Sequence, residues 1–457
     1  MIPAPADSPD LLIIPKSPQA LWVERLLWVF LFSFAFDYRA SLAREGAGGS
    51  GIDQLLFLAI CIASTMGIVA LGWRYLTIRP GAWLITFWGL FIVFMIGNAV
   101  LQGVQPGRSI RVALPFVFCL FAMVNSHIAG CVGIRPSRIV TPVLVVACIN
   151  VVWRIVHGFL FKEVSLETVR LEVMSPANNW IIAWISCAIM LRGRWSWSLP
   201  IACAVVFGGV FITITRSLIF PMVAGGITSV FCFFLCVRWG ILPISSFLRR
   251  LAPVAAVGGL ALLAIIIAAV TMPAMIERWN ERLFHNASTV NLSKDISYLT
   301  RVAEADAMIK ILKSDPVHFI NGRGIGASYY WDRAYLPEIN LVIPLGDDNF
   351  DDIWFAGHSI WTYSIFSGGV IGFLCYLTLL VGVGTFSLKA AWANASDPGP
   401  DQWLAFLPFI ATCCIVSESL TSNPFQERLL GILFGMMAGL PQAFMVRASW
   451  LHTTSRP

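Results

Sequence analysis

"WFAGHSIWTYSIFSGGVIGFLCYL" runs from Trp354 to Leu377. From Ser359 onward it has the composition of a membrane-spanning helix, which needs about 20 mostly apolar residues to cross the hydrocarbon layer. One titratable side chain, His358, stands at its threshold, behind Gly357 and just after the acidic run "GDDNFDD" (Gly346–Asp352). Apolar runs of this kind recur through the chain. Twelve segments qualify on length and composition, at roughly 20–36, 52–73, 81–101, 110–130, 138–160, 178–191, 198–214, 217–237, 251–273, 357–388, 402–420 and 428–446. The sixth is short, and the seventh and eighth meet in a tight turn at "TRS" (Thr215–Ser217).

Of the 457 residues, 58% are hydrophobic and 12% are charged, against about 25% charged in ordinary globular chains. Mean hydropathy is +0.77. Several of the 18 Trp sit at segment ends, where amphipathic rings favour the headgroup level. The expected fold is an all-α polytopic membrane protein. The N-terminus, "MIPAPADSPDLLIIPKSPQA", has no basic stretch ahead of an apolar core and no small-residue cleavage site, so the first span is expected to act as its own insertion signal. All eleven cysteines fall in apolar segments or at their edges and none in 275–356, which excludes a disulfide framework or zinc site in that loop. Cys232 and Cys236, one helical turn apart, read as packing.

Orientation follows from the basic residues. With the N-terminus inside, the inner loops carry thirteen Lys and Arg against four acids. Both termini are then cytoplasmic, and 275–356 faces the other side with eight basic and twelve acidic residues. The net +6 belongs to the inner face and gives no reason to expect a nucleic acid. The expected organisation is a cytoplasmic segment over 1–19, helices one to nine over 20–274, an outer loop over 275–356, helices ten to twelve over 357–447 and a cytoplasmic tail over 448–457. No fixed-period repeat is evident, nor the matched pair of broken helices expected of many transporters.

The 275–356 loop is far longer than a connector needs. "SYLTRVAEADAMIKILKSDP" (Ser297–Pro316) shows a helical stripe of Leu299, Val302, Ala305, Ile309 and Leu312, stopped by Pro316. "INGRGIGASYYWDRAY" (Ile320–Tyr335) follows as a glycine-rich turn with aromatics. The loop is expected to fold as a small cap lying on the outer face.

Several residues on that side could carry chemistry. Arg216 sits in the outer turn between two apolar segments, where a charge faces a cavity, faces a partner or snorkels to headgroups. Arg301 lies on the cap helix, opposite the Leu299/Val302 stripe, where it could bind an anion or pair with Glu304 or Asp306 on a solvated face. Arg323, Gly324 and Gly326 form "GRGIG", either an ordinary turn or one whose free N–H groups suit an anion. Its spacing matches no nucleotide-binding fingerprint. Arginine rather than lysine fits a phosphate, because its planar fork donates two parallel hydrogen bonds. The acidic run Asp347–Asp352 lacks metal-loop spacing and reads as solvated. His358 is either an interfacial side chain or a catalytic one, with Gly357 leaving room for close approach.

This ordered set resembles the O-antigen ligase and O-antigen polymerase superfamily of bacterial membranes. An arginine opens the eighth span (Arg216), an arginine lies on the loop helix (Arg301), a glycine turn follows, and a histidine ends the loop (His358). Family members often have His-Asn where this chain has His358–Ser359. The resemblance implies a GT-C-type architecture with about twelve transmembrane helices and a large helical periplasmic loop, in the bacterial inner membrane, with the active site on the periplasmic side. It implies a glycosyltransferase that takes a glycan from undecaprenyl diphosphate and passes it to an acceptor hydroxyl. Arg216 and Arg301 would bind the diphosphate, and Arg323, Gly324, Gly326 and Gly357 would line the substrate. His358 would act as base or orient the acceptor. No metal and no cofactor is required. Besides membrane lipids, the partners would be the lipid-linked donor, a glycan or lipid A core acceptor and a chain-length regulator. Two acceptors compete: another lipid-linked repeat unit in a polymerase of O-antigen or exopolysaccharide, which the aromatic, acidic stretch 328–355 favours, and the lipid A core in a ligase. A lipid-linked sugar flippase is a third reading, but it would need cations deep in several spans, whereas here they cluster at the outer edge.

Overall fold

The computed structural model describes residues 17–37, 51–161, 173–193, 196–213, 216–280, 296–335, 354–396, 399–420 and 422–454. These form helices joined by turns, with one isolated β-bridge between Tyr329 and Trp354. Eight helical stretches among them are long and apolar enough to cross a membrane, so the chain is an all-α, multi-pass membrane protein. Six of these stretches hold α2 (Gly51–Gly72), α3 (Gly81–Leu101), α4 (Pro106–Cys131), α5 (Pro136–Phe161), α8 (Ile219–Arg238) and α13 (Ile360–Ala393). The seventh, Gln402–Ser419, contains α14 (Leu407–Ser419), and the eighth, Arg428–Ser449, contains α15 (Arg428–Gly439) and most of α16 (Pro441–Thr454). The other four expected segments also fall on helices: α1 (Pro18–Phe32), α6 (Ala177–Cys187, continued by a π turn to Arg192), α7 (Ser198–Thr213) and α9 (Phe247–Thr271). Beyond α9 lie α10 (Pro273–Asn280), the cap helix α11 (Ile296–Lys313) and the short α12 (Pro316–Asn321).

The helices α4 and α15 pack backbone to backbone. Gly431, Gly435 and Gly439 repeat every four residues on α15, and a Cβ at any of them would come closer than 3.0 Å to the carbonyl oxygens of Pro115, Cys119 and Met123 respectively. Close approach of this kind is how apolar helices associate where lipid removes the hydrophobic drive. Every residue of α15 is buried. Beside this seam, Trp88 of α3 packs on Phe116, Tyr376 and Phe425 with ring centroids 5.7, 5.8 and 6.3 Å away, and its indole N–H donates to the Phe116 carbonyl at 3.1 Å.

The cap packs into one end of this bundle. Met308, Ile325, Tyr329 and Phe355 share one apolar core with α3, α4, α13 and α15. Its anchor is a break in α13. Gly369 has φ 62° and ψ −160°, which interrupts the helix and leaves the carbonyls of Phe366 and Ser367 without helical donors. The glycine turn fills the gap: the N–H of Arg323 donates to Phe366 at 2.8 Å and that of Gly324 to Ser367 at 2.9 Å. Asn98, near the end of α3, donates to the Asn321 carbonyl at 2.6 Å. Broken helical backbone inside the bundle is tolerated because protein satisfies it.

The cap helix also buries a different face from the one its apolar spacing suggested. Leu299, Ala303, Glu304, Ala307, Met308 and Leu312 are buried, whereas Ile309 is 43% exposed. Two alanines pass as neutral in a hydrophobicity count, and the acid takes a place the count gives to an apolar side chain.

At the cap end of the bundle, buried charges pin the helix termini. Arg154 of α5 donates to Glu427 at 2.9 Å and to the Met174 carbonyl at 2.7 Å. Arg428 pairs with Asp37, just past α1. Asn150 donates to the Asp37 carbonyl at 3.0 Å and accepts from Ser175 at 2.7 Å. The turn between α14 and α15 is thereby tied to α1 and α5.

Candidate active site

Residues 354–358 lead through bends at Ala356 and His358 into the start of α13, without a β-ladder beyond the Tyr329–Trp354 pair, whose two N–H···O bonds measure 2.9 and 3.2 Å. Buried carbonyls must find donors, and here side chains from three separate elements supply them. Tyr363 of α13 donates to Phe355 at 3.1 Å, and Tyr329 of the cap donates to Ala356 at 3.1 Å. Burial, reinforced by the negative charge of Glu304, pushes the Tyr329 phenol well above its ordinary range, so it stays a donor. Asn423, in the α14–α15 turn, donates to Gly357 at 2.9 Å, and Gln426 donates to the same carbonyl.

The next group in the chain is the N–H of His358, which donates to Glu304 Oε1 at 2.7 Å. The other carboxyl oxygen, Oε2, lies 2.7 Å from the ring Nδ1 of the same histidine. A carboxylate only accepts, so Nδ1 carries the hydrogen and Nε2 of the neutral ring holds the free lone pair. The Glu304 side chain is 1% exposed, and that of His358 is 41% exposed. The result is a histidine fixed in tautomer by a buried acid, with its working edge open. Trp354 lies beside it, ring centroids 5.7 Å apart, and stacks on Trp331 at 4.6 Å with planes 8° apart.

The structure places the expected site residues unequally. Arg301 is half-buried on α11, three residues before Glu304 and so on a neighbouring part of the same face. Glu304 is buried rather than on a solvated face, and Asp306 pairs with Lys310 at 2.9 Å. Arg216 opens a 3-10 turn, Arg216–Leu218, immediately before α8, and its side chain lies outside the described residues, as does the whole of Asp347–Asp352. The glycine turn is not an open anion nest. The N–H groups of Arg323 and Gly324 go to α13, and that of Gly326 goes to Tyr363 Oη at 3.1 Å. Gly324 and Gly326, with φ 87° and 81°, sit hard against Ala99 and against Arg108–Ser109. The Arg323 guanidinium donates to His318 Nε2 at 3.0 Å, close to Gln102 at the end of α3. The room at Gly357 is filled from within: a Cβ there would meet Glu304 Oε1, Met308 Cε and Tyr363 Cβ, all at 2.9 Å.

Sequence reading met Glu304 only as a possible partner of Arg301 and passed over Asn423, Gln426 and Arg111. Arg111, in the second turn of α4, lines a narrow crevice with Ala356, Tyr363, Asn423 and Gln426, which places a cation beside the segment that leads to His358. Its proximity to an N-terminal helix end was the available signal; the partners of His358 had none, being 54 to 69 residues away in sequence from the 357–358 peptide. No protein-family model and no curated protein sequence matches the chain.

Proposed function

We propose that this protein is a membrane glycosyltransferase of the O-antigen polymerase and ligase type, with twelve spans in a GT-C-like arrangement and a periplasmic site. The observation that carries this reading is the His358–Glu304 pair, an acid-oriented imidazole with an open Nε2 at the junction of cap and bundle. In the proposed step, Nε2 takes the proton of an acceptor sugar hydroxyl and the oxygen attacks the anomeric carbon of the donor. The bond from that carbon to the lipid diphosphate breaks as the new one forms. Undecaprenyl diphosphate leaves with its electron pair and the added negative charge. Fixed cations in a poorly hydrated site favour that charge. Arg216 and Arg301 are the proposed diphosphate ligands, and Arg111 is added to them from its place in the crevice. With the glycine turn engaged in holding the cap, Gly324 and Gly326 are assigned to architecture and not to substrate.

The preferred acceptor is a second lipid-linked repeat unit, because the stacked Trp331 and Trp354 beside His358 suit a sugar face. The test is reconstitution of purified protein with undecaprenyl-diphosphate-linked repeat units. A ladder of longer glycans with release of undecaprenyl diphosphate is expected, and His358→Ala should lower it roughly 10²–10⁴-fold, the usual contribution of a positioned base. Turnover that appears when lipid A core is supplied and not otherwise would make the protein a ligase. Movement of donor across the bilayer without bond cleavage would overturn the glycosyltransferase reading.

A further inference from the structure

The peptide unit joining Gly357 to His358 is held at both ends by different parts of the molecule. Its carbonyl accepts from Asn423 and Gln426, which belong to the bundle, and its N–H donates to Glu304 of the cap helix. A peptide group is planar and rigid. Fixing its oxygen therefore fixes the direction of its N–H, and with it the start of the His358 side chain. Glu304 in turn has one oxygen on that N–H and the other on the ring, so a tilt of the plane would open both bonds together. The turn that carries Asn423 and Gln426 has its own anchors: Glu427 on Arg154, Arg428 on Asp37, and the Asn423 Oδ1, which accepts the Phe425 N–H at 3.2 Å.

We infer that Asn423 and Gln426 are positioning residues for His358, acting through the Gly357 carbonyl, so that the imidazole is aimed only when the cap and the α14–α15 turn grip the same peptide. This rests on the reading of His358 as the base, but its structural part can be measured without turnover. Diethyl pyrocarbonate acylates neutral imidazole, and His358 is exposed enough to react. Per-residue acylation by mass spectrometry across pH 5.5–8 would be followed in the wild type, Glu304→Gln, Asn423→Asp, Gln426→Ala and the last two combined. Asn423→Asp keeps the oxygen that caps the turn and removes the donor, which separates aiming from turn stability. Two donors share one acceptor, so each single change should be mild and the pair should exceed their sum.

The combined variant should move the acylation rate at His358 most of the way to that of Glu304→Gln, read against an added histidine peptide as internal reference. Its kcat should fall at least about tenfold at an unchanged KM for donor, since a misaimed base weakens the step and not donor binding. Should the combined variant not fold, Gln426→Ala alone, at a half-exposed site, carries the same comparison with a smaller shift. Unaltered His358 acylation in a folded variant overturns the inference. Altered acylation with unaltered transfer supports the positioning and overturns the base reading instead.

Discussion

Glu304 gives both carboxyl oxygens to one residue, His358, and is itself almost wholly removed from solvent. Burying an acid is unfavourable unless its lone pairs are satisfied, and here the His358 N–H and ring satisfy one oxygen each, with the Tyr329 phenol also close by. Replacement by glutamine keeps the size and one acceptor but substitutes an NH2 for the other oxygen. The ring then meets a donor at Nδ1 and is driven to the tautomer with hydrogen on Nε2, which cannot take a proton from an acceptor. Losing the orienting acid of a catalytic histidine in this way costs about 10⁴-fold in the best-known hydrolase triad. For Glu304→Gln we expect a loss of at least about 10²-fold in transfer. Glu304→Ala should also destabilise by about 1–3 kcal/mol, since the buried His358 N–H loses its acceptor. Thermal unfolding in detergent beside the rate assay separates the two effects. A Glu304→Gln variant as active as wild type would remove the pair from the mechanism.

At the scale of helices, the glycines of α15 set how closely the site's two supports approach. Adding one methyl at Gly435 has nowhere to go, because the Cys119 carbonyl and the Ala122 Cβ both lie within 3.0 Å of it. The α4–α15 pair must separate, and overpacking of this kind costs about 1–3 kcal/mol. Since α15 starts two residues after Gln426, the same shift drags the turn that grips Gly357. Gly435→Ala should therefore lower both the unfolding temperature and the rate. Gly258→Ala, on an exposed part of α9 with open space around it, should leave both unchanged or raise the first slightly, because alanine favours helix over glycine by up to about 1 kcal/mol. Equal behaviour of the two variants would show that the seam is slack. The apolar helices, eight stretches of them long and apolar enough to span, were legible because a bilayer imposes length and apolarity on each segment separately. The break at Gly369 was not, since "SGGV" reads as an ordinary small-residue stretch until the cap turn that fills it is in place. The buried face of α11 was misread for a related reason: its pattern is set by a partner, His358, that local periodicity does not include. The histidine stood out by its place at the span, while Asn423 and Gln426 looked like any polar turn between apolar helices.

Across the whole molecule, the helix ends that gather near His358 obey one rule of alternation. The C-terminal ends of α3, α5 and α14 and the N-terminal ends of α4, α13 and α15 all meet the cap or its supporting turn, through Asn98, Arg154, Asn423, Ser109, His358 and Arg428. Chain ends that alternate this way put the cap at one end of the bundle and the α16 end at the other, and the excess of Lys and Arg in the opposite loops predicts that the cap side is the outer one. The proposed chemistry requires that side, because a repeat unit already carried across the membrane is met there. Ser328 of the cap and Ser449 of α16 are both exposed and serve as reporters once the eleven native cysteines are replaced. In cells whose outer membrane alone is permeable, an impermeant maleimide should label Ser328→Cys and spare Ser449→Cys, and lysis of the inner membrane should then expose the second. The reverse pattern would put His358 and Glu304 in the cytoplasm, facing a donor population that a periplasmic polymerase never meets, and the proposed reaction would fall with the orientation.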